Sequence, residues 1–373
     1  MIIKNASVFG EDGRFEKKDI YIEGERFSNH GTGEVLDAEG CLAIPGLTDI
    51  HFHGCDGVDF SDGSLDAIRR ITAYEAAQGI TTVVPATMTL EKQTLLQIAE
   101  TAACYRREEN RTEKRAELFG INMEGPFVSR EKCGAQNPRF LHKPDIEMFL
   151  EIMEASAGSI RLCDVAPEEP GALDFIEKAA PYCRISVAHT TADYETAREA
   201  FERGASHVTH LYNAMPPFLH RAPGPIGAAA ENDEVVVELI CDGIHVDPCA
   251  VRTTFRLFGK ERIALISDSM MATGLPDGEY ALGGQAVTVV GKKATLHDGT
   301  IAGSVTNLMN CMKNAVLNMG IPLEEAVYSA AVTPAKAVGC YDHVGSITPG
   351  KFANLILLDQ DSLKTSRVFV RGR

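Results

Sequence analysis

Pro45-Gly46-Leu47-Thr48-Asp49-Ile50-His51-Phe52-His53 is where the chain declares its architecture. Leu47–His51 reads as a short apolar strand, and the segment after it, Ser64–Gln78, carries apolar residues at helical spacing. The same texture recurs until about residue 268. Strands are expected at Leu47–His51, Ile80–Pro85, Leu118–Glu124, Ile160–Ala166, Ile185–His189, His207–His210, Val235–Cys241 and Ile263–Ser267. Helices are expected between them at Ser64–Gln78, Glu91–Glu109, Pro144–Ala157, Ala172–Pro181, Asp193–Arg203 and Asp247–Phe258. Eight alternating units predict an α/β fold, a closed (β/α)8 TIM-like barrel. An open doubly wound sheet is the competing architecture, but no G-x-G-x-x-G turn follows any strand.

Outside this stretch the pattern changes. Ile2-Ile3, Ser7–Phe9, Ile20–Glu25 and Glu34–Asp37 read as short strands with polar turns. Beyond the last barrel strand come a β excursion at Tyr280–Thr300, helices at Ser304–Met319 and Pro322–Val338, and a β tail from Val344 to Asp359. The expected organisation is a small β domain built from residues 1–46 and 345–373, with the barrel at 47–344. Gly345 to Lys351 fits G-x-x-x-x-G-K, but Phe352 stands where a P-loop has Ser or Thr and a strand follows where it needs a helix. A turn between strands is the better reading.

Thirty-six Lys and Arg stand against 52 Asp and Glu, a net charge of −16 that repels nucleic acid and anionic membrane. An anionic substrate must then be received by a few placed cationic groups, so single Arg and His residues matter. The 10 cysteines contain no C-x-x-C pair, which suggests reduced thiols rather than a zinc ribbon or a disulfide framework. No apolar run reaches the roughly 20 residues of a membrane span, so a cytoplasmic protein is expected.

His51 and His53 are two apart in a strand and share a face, so both imidazoles can enter one barrel mouth. Glu124, His189 and His210 end the third, fifth and sixth strands, and Asp268 follows the eighth. In a barrel all six converge on the face that carries active sites. Four imidazoles and two carboxylates suit zinc, or iron or manganese where oxygen ligands are more numerous, with a position left for water. Alternatives exist for each: Glu124 as a turn residue, Asp268 as a helix N-cap. His207, three residues before His210, reads as a bystander.

These residues resemble a known family. The metal-dependent amidohydrolases carry Pro-Gly-x-x-Asp-x-His-x-His on the first strand, as Pro45–His53 does, and close with a β segment similar to Pro349–Leu355, where Asn354 replaces a more usual Asp. Within them the chain looks like an N-acetylglucosamine-6-phosphate deacetylase. Glu124-Gly125-Pro126-Phe127, His210–Met215, Asp242–Asp247, Ser267-Asp268 and Ala302-Gly303-Ser304 occur in the family's order. The resemblance implies that Glu124, His189 and His210 hold the principal metal, and that Asp268 transfers protons. It implies that Ala135, Gln136, Asn213 and Ala214 meet the sugar, and that Ile301, Ala302 and Gly303 line the pocket. Arg221 and His245 would bind the phosphate, completing a neighbouring subunit's site in a homodimer. Some members lack the first-strand histidines; His51 and His53 are both present here, so one or two divalent ions are expected. Gln136 stands where some members have His.

The implied activity is hydrolysis of N-acetyl-D-glucosamine 6-phosphate to D-glucosamine 6-phosphate and acetate, in amino-sugar catabolism. An unactivated amide needs a hydroxide at neutral pH, which a zinc-type ion supplies by lowering the pKa of water to roughly 7. The galacto epimer is a rival substrate. A D-aminoacylase-like or cyclic amidase is another, though no Lys ends a ligand-bearing strand. A silent barrel would be expected to have lost ligands, and all six candidates are present.

Overall fold

The computed structural model describes residues 1–108 and 114–373. Parallel strands form at Leu47–Asp49, Ile80–Val83, Ile160–Val165, Arg184–Val187, Ala205–Val208, Val236–Ile240 and Ile263–Ile266, with the third in two pieces, Glu117–Leu118 and Ile121–Met123. These strands are mostly buried, as a sheet covered on both sides requires. Neighbours in the chain are neighbours in the sheet. The third strand breaks around Gly120, where a Cβ would lie 2.5 Å from the Ser159 carbonyl oxygen, so only glycine allows the approach.

The sheet curls back on itself. Asn122 N–H donates to Pro85 O and spans the break at the third strand. Asp268 N–H donates to His51 O (2.9 Å) and His53 N–H to Ser269 O (2.7 Å), tying the end of the eighth strand to the end of the first. These two contacts bring Asp268 beside His51 and His53 although more than 200 residues separate it from them in the chain.

Helices cover the outside. In Leu65–Ala77 the Ser64 hydroxyl accepts the Ala67 N–H as an N-cap, and Ile68, Ile71, Thr72, Glu75 and Ala76 face inward at helical spacing. Asp145, Asp193, Asp247 and Asn307 cap later helices in the same way. The second helix runs Lys92–Arg107; its expected end at Glu109 lies outside the described residues. A helix at Gly224–Glu231 was not expected, because Gly224, Pro225 and Gly227 read as breakers. Proline is well placed in a first turn, where its missing N–H costs nothing, and Ala228–Ala230 then propagate the helix. The expected helix Pro322–Val338 is instead Leu323–Val327, a π-helical turn Tyr328–Val332, and Thr333–Ala337. Pro334 has no N–H for the carbonyl four residues back, and Thr333 N–H reaches Tyr328 O, so the register widens there.

At the chain ends Cys41–Pro45 lies parallel to Ser7–Phe9 and antiparallel to Leu355–Asp359, which pairs with Thr365–Phe369. A second sheet orders Arg26–Ser28, Ile20–Glu23, Ile2–Lys4 and Val35–Asp37. Lys351 lies over the Tyr341 ring and donates to Val344 O, an ordinary packed lysine rather than a phosphate ligand. Gly278–Leu282, Gln285–Val290 and Lys293–Thr295 form an antiparallel excursion that packs Leu282 and Val287 against Met88, Met270 and Ala302. Among the described residues no helix is long and apolar enough to cross a membrane.

Candidate metal centre and active site

The candidate ligands sit just past the strand ends: His51 two residues beyond Asp49, Glu124 directly after Met123, His189 and His210 two beyond Val187 and Val208, Asp268 two beyond Ile266. His189, His210 and Asp268 have φ of +43°, +29° and +49°. Left-handed backbone at such residues costs on the order of 1–3 kcal/mol each and persists where surrounding contacts over-determine it. Gly303 completes the constraint, since a Cβ there would lie 2.9 Å from Asp268 O.

Two groups of donor atoms result, His51–His53–Asp268 and Glu124–His189–His210, each within 4.8 Å and all buried. Glu124 stands between them. Its Oε1 lies 2.9 Å from His189 Nε2 and 3.3 Å from His210 Nε2, while Oε2 lies 3.2 Å from His53 Nε2. His53 Nε2 is also 3.4 Å from Asp268 Oδ1.

The outer hydrogen bonds decide what these atoms present. His189 Nδ1 is 2.8 Å from Lys132 O, and a carbonyl only accepts, so Nδ1 carries the proton. A neutral His189 then turns the lone pair of Nε2 toward Glu124 Oε1 and toward His210 Nε2, 3.1 Å away. These electron-rich atoms require a proton on one of the nitrogens, or a cation, between them. The carboxylates repeat the demand. Among the described residues the ion-pair partners of Glu124, Glu238 and Asp268 are histidines, with no Lys or Arg. Three buried negative groups without a fixed cation are costly.

The titration behaviour has the same origin. Burial pushes the Glu124 carboxyl up, but the His51 charge and bonds from His189, His210 and His51 hold it well below the usual range. Burial disfavours protonated His53, yet bonds to Asp268 and Glu124 raise it to about 10. In the protein alone, protons on histidine supply the positive charge that the carboxylates call for. A divalent cation competes for those positions, and the N and O donor set fits one.

An open cavity of about 440 Å³ lies over this floor. Of the candidate ligands, His53, Glu124, His189, His210 and Asp268 line it; His51 lies beneath, fully buried. Of the candidate substrate residues, Ala135, Gln136, Asn213, Ala214 and His245 line it, and so do Ile301 and Gly303. Ala302 does not: it is buried, with its N–H on Ala294 O. Arg221 does not either; it is exposed on the loop that carries the exposed Phe218 and Leu219. A single chain therefore does not bring Arg221 to the cavity. His245 Nδ1 donates to Asp242 Oδ2 (2.7 Å), and burial, which disfavours charge on this ring, is outweighed by that carboxylate.

Four supporting residues were given no role from the sequence, although Asp242 opens the motif Asp242–Asp247. Asp242 orients His245, Lys132 orients His189 through its carbonyl, and Gln285 clamps the Ala135 carbonyl at 2.6 Å. Glu238 is the fourth, and it had a signal: a charged residue in the otherwise apolar strand Val236-Val237-Glu238-Leu239-Ile240. His207 is a bystander with respect to the cavity. Its Nδ1 meets Ser186 Oγ at 2.9 Å, and burial lowers its pKa to about 4.

The profile of the amidohydrolase family matches residues 42–373, and the chain belongs to that family: it is a metal-dependent hydrolase. N-acetylglucosamine-6-phosphate deacetylase of Bacillus subtilis (strain 168) is 36% identical over 361 residues, covering 96% of this chain and 90% of that protein. A mutant N-acetyl-D-glucosamine-6-phosphate deacetylase from Mycobacterium smegmatis, in complex with N-acetyl-D-glucosamine-6-phosphate, superposes with a TM-score of 0.92 at 33% identity, covering 100% of this chain and 98% of that one. N-acetylgalactosamine-6-phosphate deacetylase of Escherichia coli O157:H7 is 32% identical, covering 91% of this chain and 89% of that protein. Within the family the chain stands with the N-acetylglucosamine-6-phosphate deacetylases.

Proposed function

We propose that the protein hydrolyses the acetamide of N-acetyl-D-glucosamine 6-phosphate, releasing acetate and D-glucosamine 6-phosphate. The observation that carries this reading is the pair of adjoining donor groups at the floor of one cavity, with Asp268 in one group and on the cavity wall. The curled sheet is read as a (β/α)8 barrel spanning 47–344, with residues 1–46 and 345–373 as the small β domain.

Glu124, His189 and His210 would hold the principal ion, zinc in this reading with iron or manganese as alternatives, and His51, His53 and Asp268 would hold a second. A cation held there would supply a lowered water pKa, to about 7, and stabilisation of charge on a carbonyl oxygen. Asp268 accepts one proton of the attacking water and returns it to the departing sugar nitrogen, while the water's other proton stays on the new carboxyl group and is released to solvent as it ionises to acetate. Asn213 orients the sugar, and the Gln136 NH₂ faces the acetyl carbonyl. Asn213 spends its side-chain N–H on the His210 and Leu211 carbonyls, which leaves its oxygen as an acceptor.

Phosphate specificity falls to His245 and to Arg221, whose fork of donors suits an anion. Arg221 of one chain completes the site of a second copy in a homodimer; the exposed Phe218 and Leu219 beside it supply apolar surface for that contact. The net charge of −16 makes such placed cations necessary. The enzyme works in the cytoplasm. The galacto epimer is a second reading, favoured by the 32% identical relative that bears that name.

The test is acetate release from N-acetylglucosamine 6-phosphate, its unphosphorylated form and N-acetylgalactosamine 6-phosphate, after chelation and after restoring zinc, iron or manganese. Metal-dependent turnover confined to the phosphorylated gluco sugar is expected. Faster turnover of the galacto epimer transfers the assignment to it, and no turnover with any metal overturns both.

A further inference from the structure

Glu238 lies within the seventh parallel strand, fully buried. Its Oε2 is 2.8 Å from His51 Nδ1 and accepts the His210 backbone N–H at 3.0 Å. One oxygen thus touches a ligand residue from each donor group, yet the side chain does not reach the cavity. Among the described residues its Oε1 has no hydrogen-bond partner, His207 Nε2 lying 3.9 Å away, and neither has His51 Nε2 on the far side of the imidazole. That nitrogen is 3.6 Å from Glu124 Oε1 and 3.9 Å from Asp268 Oδ1.

The chemistry of the contact fixes a direction. An ionised carboxylate only accepts, so Nδ1 of His51 carries a proton, and Nε2, which faces Glu124 and Asp268, is the atom left to exchange a proton for a cation. A backbone carbonyl would orient the ring at lower cost, as Lys132 does for His189. A carboxylate adds charge, and it makes the imidazole a stronger donor to a cation. With one oxygen unpartnered, the charge of Glu238 is incompletely compensated within the protein, and the unmet demand points through His51.

We infer that Glu238 is a positioning residue that holds His51 as a metal ligand, anchored in turn by the His210 N–H. The inference rests on the metal-hydrolase reading. In it Glu238 selects the His51 tautomer and so controls occupancy of the His51–His53–Asp268 group, leaving the Glu124–His189–His210 group in place.

The experiment measures metal uptake rather than turnover. Chelated protein is titrated with Zn²⁺ and Co²⁺, counting ions per chain by elemental analysis and following the Co²⁺ visible spectrum. Wild type that takes up no ion refutes the metal reading itself. If wild type binds, Glu238→Gln is expected to weaken one class of ion by about 10–100-fold and alter its Co²⁺ spectrum, leaving the other class unchanged. His51→Asn should lose the same class, and adding Glu238→Gln to His51→Asn should weaken binding no further. Glu238→Gln with wild-type ion number, affinity and spectrum overturns the inference, as do additive losses in the double variant. If Glu238→Gln does not fold, Glu238→Asp, which keeps the charge but withdraws the oxygen from His51, carries the same expectations and is judged by the same outcomes.

Discussion

The Thr89 backbone N–H donates to Gln136 Oε1 across 2.6 Å. A backbone amide cannot accept, so the atom it meets is the amide oxygen, and the NH₂ of Gln136 is left to the cavity that the residue lines. Gln136 thus offers the cavity a fixed neutral donor. Gln136→Leu is expected to lower kcat by about 10²-fold with little change in KM, the effect of removing one donor to a developing oxyanion. Steady-state acetate release decides it: a change confined to KM places Gln136 on the sugar rather than on the carbonyl.

Asp268 shares a donor group with His51 and His53 and lines the cavity. Asp268→Asn keeps its shape and removes its basicity, so kcat should fall by about 10²–10⁴-fold. Ion content measured on the same sample separates the causes. Full ion content with lost turnover identifies proton transfer, and lost ions identify ligation.

Arg221 is exposed and outside the cavity of its own chain. If it reaches a partner's site, Arg221→Met should raise KM for the phosphorylated sugar by about 10–100-fold, the worth of a hydrogen bond from a charged group. The unphosphorylated sugar should be unaffected. Co-folding Arg221→Met with Asp268→Asn should restore part of the activity, because a mixed dimer holds one site with both residues intact. No restoration argues that Arg221 acts elsewhere.

Glu75 faces inward from Leu65–Ala77 with no cation beside it among the described residues, and burial, reinforced by the Asp49 charge and opposed by the Cys55 thiol, raises its pKa to about 8. The folded chain keeps this proton between roughly pH 4.5 and 8 while the unfolded chain releases it, so stability falls as pH rises through that window. Glu75→Gln should remove this slope and stabilise the protein at pH 8 by up to a few kcal/mol on an order-of-magnitude scale, with little effect near pH 4. Melting temperatures of the two proteins across pH 4–9 check the sign. Parallel curves show that Glu75 does not carry the proton.

Glu124, His189, His210 and Asp268 were readable because each ends a strand, and parallel strands in a curled sheet deliver their C-terminal ends to one rim. His51 and His53 were readable because residues two apart in an extended chain share a face. The helix at Gly224–Glu231 was missed because its first residues have poor helix propensity; tertiary packing, which buries Ile226, Ala228 and Ala229, stabilises it instead.

Strand order and the ring of candidate ligands were therefore determined by the sequence itself, since short-range periodicity reports which face of an element each side chain occupies. The tautomers of His51 and His189, the orientation of Gln136, the support from Glu238 and the placing of Arg221 outside its own cavity were decided only by the tertiary structure. Each depends on a hydrogen bond, or on the lack of a contact, between atoms far apart in the chain, such as the 187 residues between His51 and Glu238. Periodicity carries no record of such a pairing; it exists once the sheet has closed and burial has left each polar atom few partners to choose from.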